Sequence, residues 1–251
     1  GCYYGKLEEP YPEEALKYLN VAKELGREDE WIYSQIGYQL GYNPDKSEEA
    51  LEYFEKAIEL GGNDAWIFEV KGVILLDLKR YQEALDSFKN AYDLNNDGWY
   101  LYCMGRCLRG LERYEEAIKR LEKSLELIDS TETEKTDEEI NEKIFIVSEL
   151  GYLHSVQGKN EEALKYFYTA KDLGRNDDWI YMHIWFNLEK SKGKEEALKY
   201  FENEAKVNDK NATIWASLGQ IYMNFFQDYD KAEKAFKKAF GLSGDGLNLY
   251  N

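Results

Sequence analysis

Trp215-Ala216-Ser217-Leu218-Gly219-Gln220-Ile221-Tyr222, followed by Ala232, Phe236 and Ala239, is the stretch from which the fold can be read. Ala232, Phe236 and Ala239 stand at i, i+4 and i+7, which is one stripe of an α-helix. The alanine recurs, in Glu-Glu-Ala-Leu or a near copy, as Ala15, Ala50, Ala84, Ala117, Ala163, Ala197 and Ala232, at intervals of 35, 34, 33, 46, 34 and 35 residues. Four residues after it come Leu19, Phe54, Phe88, Leu121, Phe167, Phe201 and Phe236 in turn. Three further on stand Ala22, Ala57, Ala91, Ser124, Ala170, Glu204 and Ala239. A second series precedes six of the alanines by 12 or 13 residues: Gly37, Gly72, Gly105, Gly151, Trp185 and Gly219. Five residues before each of these is Ile32, Ile67, Tyr100, Ile146, Ile180 or Ile214. Each unit therefore reads as helix A, a short turn and helix B. The small residue of helix A and the alanine of helix B let the two backbones approach closely.

These residues resemble the tetratricopeptide repeat, whose pattern the last unit carries in Trp215, Leu218-Gly219, Tyr222, Ala232 and Phe236, without the family's terminal proline. The resemblance spans about residues 11 to 242. It implies an all-α fold, a right-handed α-solenoid (superhelix) of antiparallel helix pairs, with about six full hairpins after an incomplete N-terminal one, and a bacterial source is expected. The hairpins are expected at 29–60, 64–94, 97–128, 138–173, 177–207 and 211–242, after a partial repeat at 11–25. One continuous array over 1–251 is the expected organisation.

Local signals agree. Leu25-Gly26, Leu60-Gly61 and Leu173-Gly174 end helices where glycine can take the left-handed cap conformation. Asp29, Asp64, Asp97 and Asp177 are N-caps for the helices that follow. The 46-residue interval holds a 12-residue insertion, and residues 129–143 carry seven acids and two lysines, a polar loop or a helix extension. Thr136 with Glu139 forms a capping box. Trp185 in a small-residue slot is expected to splay or rotate its hairpin. Lys71 and Glu204 fall in apolar slots and must reach solvent or a partner charge. At the ends, Cys2 to Glu8 stand where a first helix A belongs, so the chain is either a fragment of a longer repeat protein or carries a degenerate cap. The last helix, with Lys231, Lys234, Lys237 and Lys238, is expected to solvate itself, and Leu247, Leu249 and Tyr250 of the tail 243–251 are placed to fold back or to dock on a neighbour.

Composition narrows the partners. With 49 acidic and 32 basic residues the 251-residue chain has a net charge of −17, which disfavours nucleic acid and anionic membrane surfaces. A protein or peptide partner that is basic or apolar fits better, and a homo-oligomer is compatible. No run of about 18 apolar residues is present, so no membrane insertion is expected. Three cysteines make no disulfide framework, and a reducing, cytoplasmic setting is the expectation, with an N-terminal lipid anchor at Cys2 the alternative.

In the family the A helices line the concave side, and the resemblance supplies the inward slots. They include Trp31, Gln35 and Tyr38; Trp66 and Glu69; Trp99, Tyr102, Arg106 and Arg109; Glu149 and Tyr152; and Trp179, Met182, His183 and Phe186. Aromatic side chains and arginine anchor interfaces, because they bury large rigid areas at little entropic cost. The tryptophans have two readings, as partner contacts or, preferred, as half-buried rings that set the stacking of one repeat on the next. Tyr38, Tyr102, Tyr152 and Phe186 are the stronger contact candidates. Arg106 and Arg109 suit a carboxylate or phosphate, or else pair within the chain. The slots that hold a lysine and asparagine clamp for peptide C-termini in chaperone-binding relatives are here Ser34, Tyr38, Val70, Trp99 and Cys103, so that clamp is not expected.

No metal, cofactor or catalytic centre is implied. Asp93, Asn95, Asp97 and Gly98 begin like a calcium loop, but its twelfth position is Met104 instead of glutamate. Cys103 and Cys107 are one turn apart and lack further ligands nearby in sequence. His154 falls in a core slot, and no nucleophile motif stands near His183. The expected function is a non-catalytic scaffold that binds a peptide or helix in the groove. The alternatives are a ligand- or peptide-sensing regulatory domain and a self-assembling module.

Overall fold

The computed structural model describes residues 12–130 and 135–243. The expected cap or anchor around Cys2 and the tail with Leu247, Leu249 and Tyr250 lie outside them. Every regular element among the described residues is helical. The chain divides into two compact units, 1–131 and 132–251.

In the first unit, α1 (Pro12–Glu24) packs on α2 (Glu30–Gly41), and three antiparallel hairpins follow. They pair α2 with α3 (Ser47–Glu59), α4 (Ala65–Asp77) with α5 (Tyr81–Leu94), and α6 (Gly98–Gly110) with α7 (Tyr114–Asp129). In the second unit, α8 (Asp137–Val156) pairs with α9 (Asn160–Asp172), α10 (Asp178–Lys192) with α11 (Lys194–Val207), and α12 (Ala212–Ile221) with α13 (Tyr229–Ser243). A π-helical turn, Tyr222–Phe226, extends α12.

The repeated small residue sets how closely each pair approaches. A Cβ built on Gly37, Gly72, Gly151 or Gly219 would lie 3.1, 2.9, 2.6 or 2.7 Å from the ring of Phe54, Phe88, Phe167 or Phe236, and on Gly105 it would lie 2.8 Å from Leu121. Each helix B side chain therefore sits directly on helix A backbone. Ala50, Ala84, Ala117, Ala163 and Ala197 are fully buried, as are Phe54, Phe88, Leu121, Phe167 and Phe201.

The caps form as read. Gly26, Gly61 and Gly174 take φ of +93°, +97° and +108°, and the next amide in each case bonds back across the last turn, as in Arg27 N–H to the Ala22 carbonyl at 3.1 Å. Asp29, Asp64, Asp97 and Asp177 each accept a backbone N–H of the first turn. Thr136 and Glu139 close both halves of the capping box. From this start α8 runs 14 residues to Gly151, twice the distance from the start of any other full helix A to its small residue. The insertion is thus absorbed largely as two extra turns of helix.

Departures from the repeat are accommodated locally. Trp185 is fully buried, with Phe201, Phe225 and Phe226 around it at 5.9, 5.0 and 6.2 Å between ring centroids. α10 and α11 pack less closely than the other hairpins, and the single residue Gly193, at φ +90°, joins them. Lys71 meets Glu55 at 2.5 Å, and Glu204 meets Lys171 at 2.7 Å and the Asn208 amide at 2.8 Å. Both charges are neutralised inside the chain and neither is left to an external partner. His154 is half-buried and stacks on Tyr166 at 5.4 Å, so it belongs to the margin of its hairpin and not to the core.

Candidate functional site

The A helices of the first unit hold their candidate residues in graded exposure. Trp31, at the start of α2, is 47 % exposed, and the Arg27 guanidinium lies 4.3 Å from its ring centroid. Arg27 Nε also donates to Asp29 Oδ2 at 2.8 Å, so one arginine braces the helix cap and the ring together. That contact and the Ile32 amide hold the Asp29 carboxyl below the usual carboxylate range. Gln35 is half-buried one turn on. Trp66 of α4 wedges between Phe54 of α3 and Tyr38 of α2, with centroids 6.4 and 5.3 Å away.

Tyr38 itself is buried, its hydroxyl 2.5 Å from that of Tyr42. Glu69 is likewise buried and accepts the Tyr100 hydroxyl at 3.2 Å, tying α4 to α6. Tyr102 is buried beneath Trp99, 5.0 Å between centroids, and the Arg106 guanidinium reaches over its ring at 5.9 Å. Neither Arg106 nor Arg109 is free, so both are engaged within the chain. The structure thus spreads the first unit's candidates between an open rim, led by Trp31, and buried members, Tyr38, Glu69 and Tyr102.

The second unit gathers its candidates more tightly. Trp179 stacks against His183 at 3.8 Å between centroids, and Arg175 lies 4.1 Å from the Trp179 ring. His183 Nδ1 is 2.9 Å from the Trp179 carbonyl, which assigns the ring proton to Nδ1. Burial draws the imidazole pKa below its ordinary value, against that hydrogen bond and with help from the Arg175 charge. Tyr152 of α8 faces His183 at 6.0 Å, and Phe167 supports Trp179 and His183 at 5.8 and 5.4 Å. Phe186, one turn beyond Met182, is 44 % exposed and leans on Phe225 at 5.8 Å. Met182 and Glu149 are half-buried.

Two features escaped the sequence reading. The arginine braces belong to an internal duplication, Leu25-Gly26-Arg27-Glu28-Asp29-Glu30-Trp31-Ile32-Tyr33 and Leu173-Gly174-Arg175-Asn176-Asp177-Asp178-Trp179-Ile180-Tyr181, which a comparison of the turns alone reveals. Arg175 repeats the bond to its cap, Nε to Asp177 Oδ2 at 3.0 Å. Phe225, which supports Trp185 and Phe186, lies in a π-turn for which no local sequence signal is evident. The last helix also departs from expectation. It exposes Tyr229 and Phe240 at 67 % and 55 %, which with Met223 and Phe236 border an apolar cavity of about 670 Å³, so its lysines solvate only part of its surface.

Chemically the arrangement offers apolar area, cation–π braces and few free polar groups. Among the described residues no three His, Cys, Asp or Glu side chains converge to hold a metal ion. Cys103 and Cys107 are buried thiols, and burial pushes Cys107 up to about 12. No described helix is long and apolar enough to cross a membrane.

Comparison with known proteins places these hairpins in context. Models of the tetratricopeptide repeat match residues 45–98, 100–131 and 212–245. Among solved structures, MamA residues 41-end from Desulfovibrio magneticus RS-1 is 26 % identical, with a TM-score of 0.56 over 64 % of this chain and 85 % of that one. The C-terminal part of a TPR repeat-containing protein from Cytophaga hutchinsonii is 18 % identical, with a TM-score of 0.66 over 95 % and 93 %. A tetratricopeptide repeat protein from Parabacteroides merdae is 18 % identical, with a TM-score of 0.62 over 98 % and 91 %. No curated protein matches the chain.

Proposed function

We propose, from the premise that this chain is a tetratricopeptide repeat protein, that it is a non-catalytic scaffold whose A helices bind a peptide or helix of a partner protein. The observation that carries the reading is the aromatic surface of α8 and α10. Trp179 and Phe186 remain 36 % and 44 % exposed, although Arg175 and His183 hold the first ring and Phe225 the second. Rings ordered before binding lose little conformational freedom on contact, so exposed area of this kind converts efficiently into affinity. Met182 and Tyr152 extend the surface with adaptable and amphipathic area. Trp31, with its Arg27 brace, is the counterpart on the first unit, with Gln35 one turn on along α2 and Trp66 on α4, while Trp99, Arg106 and Arg109 are the candidates of α6. A basic or apolar segment suits both surfaces in a chain of net charge −17.

Photo-crosslinking tests the reading. A photoreactive amino acid at position 186 should capture a discrete partner, and Trp179→Ala should weaken that capture. The same group at position 229, on α13, should capture nothing comparable. Equal capture from both positions, or indifference to Trp179→Ala, would move recognition off the A helices.

A further inference from the structure

An unusual charge arrangement lies on a different face of α12 and its π-helical turn from Gln220 and Met223. There α11, α12 and α13 enclose a groove of about 400 Å³, floored by Trp215, Leu218 and Tyr222 and bordered by Lys206, Lys231, Lys234 and Lys238. Internal comparison of the repeats shows how specific this is. One residue before the repeat alanine stand Glu14, Glu49, Glu83, Glu116, Glu162 and Glu196, and then Lys231. Nine residues after it stand Glu24, Glu59, Asp93, Glu126 and Asp172, and then Lys206. Two positions that are acidic in every earlier repeat thus become lysine once each, on two different helices, and both lysines border the same groove.

Lys206, Lys234 and Lys238 make no ion pair with any described residue, while Lys231 meets Asp228 at 3.2 Å and lies 5.2 Å from the Tyr222 ring centroid. Glu202, the one acid on the lining, is occupied by the Tyr222 hydroxyl at 2.6 Å. Trp215 is half-buried, and its indole N–H is spent on the Asp209 carbonyl at 3.1 Å, which leaves its ring as apolar floor. A floor of rings with cations around it fits a ligand of opposite design, a large apolar side chain flanked by carboxylates.

We propose that this groove is a second recognition site, which takes a short acidic peptide segment by seating an aromatic or large aliphatic side chain over Trp215 and Tyr222 while Lys206, Lys231, Lys234 and Lys238 attract its carboxylates. Charge complementarity selects this occupant: four cations converge here in a chain of net charge −17. The overall negative field opposes long-range approach of such a partner, so recognition depends on contact inside the groove and not on steering. The site is independent of the surface on α8 and α10.

The test is fluorescence anisotropy of a labelled peptide, acetyl-DEFEDE, titrated with the whole chain. The Lys206→Glu/Lys231→Glu variant restores the charges that the other repeats carry, so the hairpins tolerate it, and far-ultraviolet circular dichroism checks that. Saturable binding is expected for the wild type. Reversing two charges removes two rim attractions and adds two repulsions, so Kd should rise about tenfold. Lys89→Glu/Lys119→Glu, equal in net charge but on the first unit, should bind as the wild type does. The peptide with glycine for phenylalanine should bind several-fold more weakly. Absence of saturable binding by the wild type, or an equal loss in both charge variants, would overturn the proposal. Equal affinity for the glycine peptide, or for heparin, would also do so, by showing an indiscriminate polyanion surface.

Discussion

Gly151→Ala tests the close approach on which the hairpins rest. The new methyl would stand 2.6 Å from Cε1 and 2.7 Å from Cδ1 of Phe167, about 1 Å inside ordinary carbon–carbon contact. The ring has nowhere to go, since it is fully buried with Trp179 and His183 packed on it. Overpacking of this kind costs about 1–3 kcal/mol. Alanine in a helix interior offsets about 1 kcal/mol of that. A net loss of about 1–2 kcal/mol is expected, read as a lower urea midpoint of the second unit followed by circular dichroism. The decisive step is the background. With Phe167→Ala in place, itself costing about 3–5 kcal/mol, the methyl meets no ring, and Gly151→Ala should become stabilising by about 1 kcal/mol. If Gly151→Ala has the same sign in both backgrounds, the ring-on-backbone contact does not set the helix spacing.

Three further outcomes are expected. Glu204→Ala should destabilise by about 1–3 kcal/mol by leaving Lys171 half-buried without its carboxylate, whereas Lys171→Met/Glu204→Leu should come within about 1 kcal/mol of the wild type in the same urea assay. His183 has a folded pKa below its ordinary value of 6.5, so its contribution to stability is complete above pH 6.5 and is lost as pH falls through the folded value. The urea midpoint should therefore fall from pH 7.5 to pH 5 more steeply in the wild type than in His183→Phe. Cys107, with its thiol pushed up to about 12, should resist iodoacetamide at pH 8 in the folded chain, and both it and the buried Cys103 should react fully in urea, as intact mass spectrometry will show.

The hairpins and their caps were legible because they depend on local geometry. Glycine after leucine, aspartate two or three residues before tryptophan or isoleucine, and small residues opposite phenylalanine each have one favourable backbone solution, and all of them agree. The fates of Lys71 and Glu204 were legible only as a choice between solvent and a partner, because Glu55 and Lys171 reach them from a different helix. The candidate residues were legible as types and positions but not in their exposure. Tyr38 and Phe186 occupy similar slots one residue after a small or replaced position, yet one is buried against Trp66 and Tyr42 and the other is open.

By itself, then, the amino-acid order determined an all-α repeat with its turns, caps and helix pairing, since these follow from periodicity and from single-residue backbone preferences that act over a few residues. The tertiary structure alone decided which candidate rings stay exposed, how Trp185 is housed beside a π-turn, and that Lys206 and Lys231 border one groove. Those outcomes depend on side chains about 25–40 residues apart, or on a local change of helix type, and there the shape and charge of the neighbour, rather than the residue's own preference, determine the result.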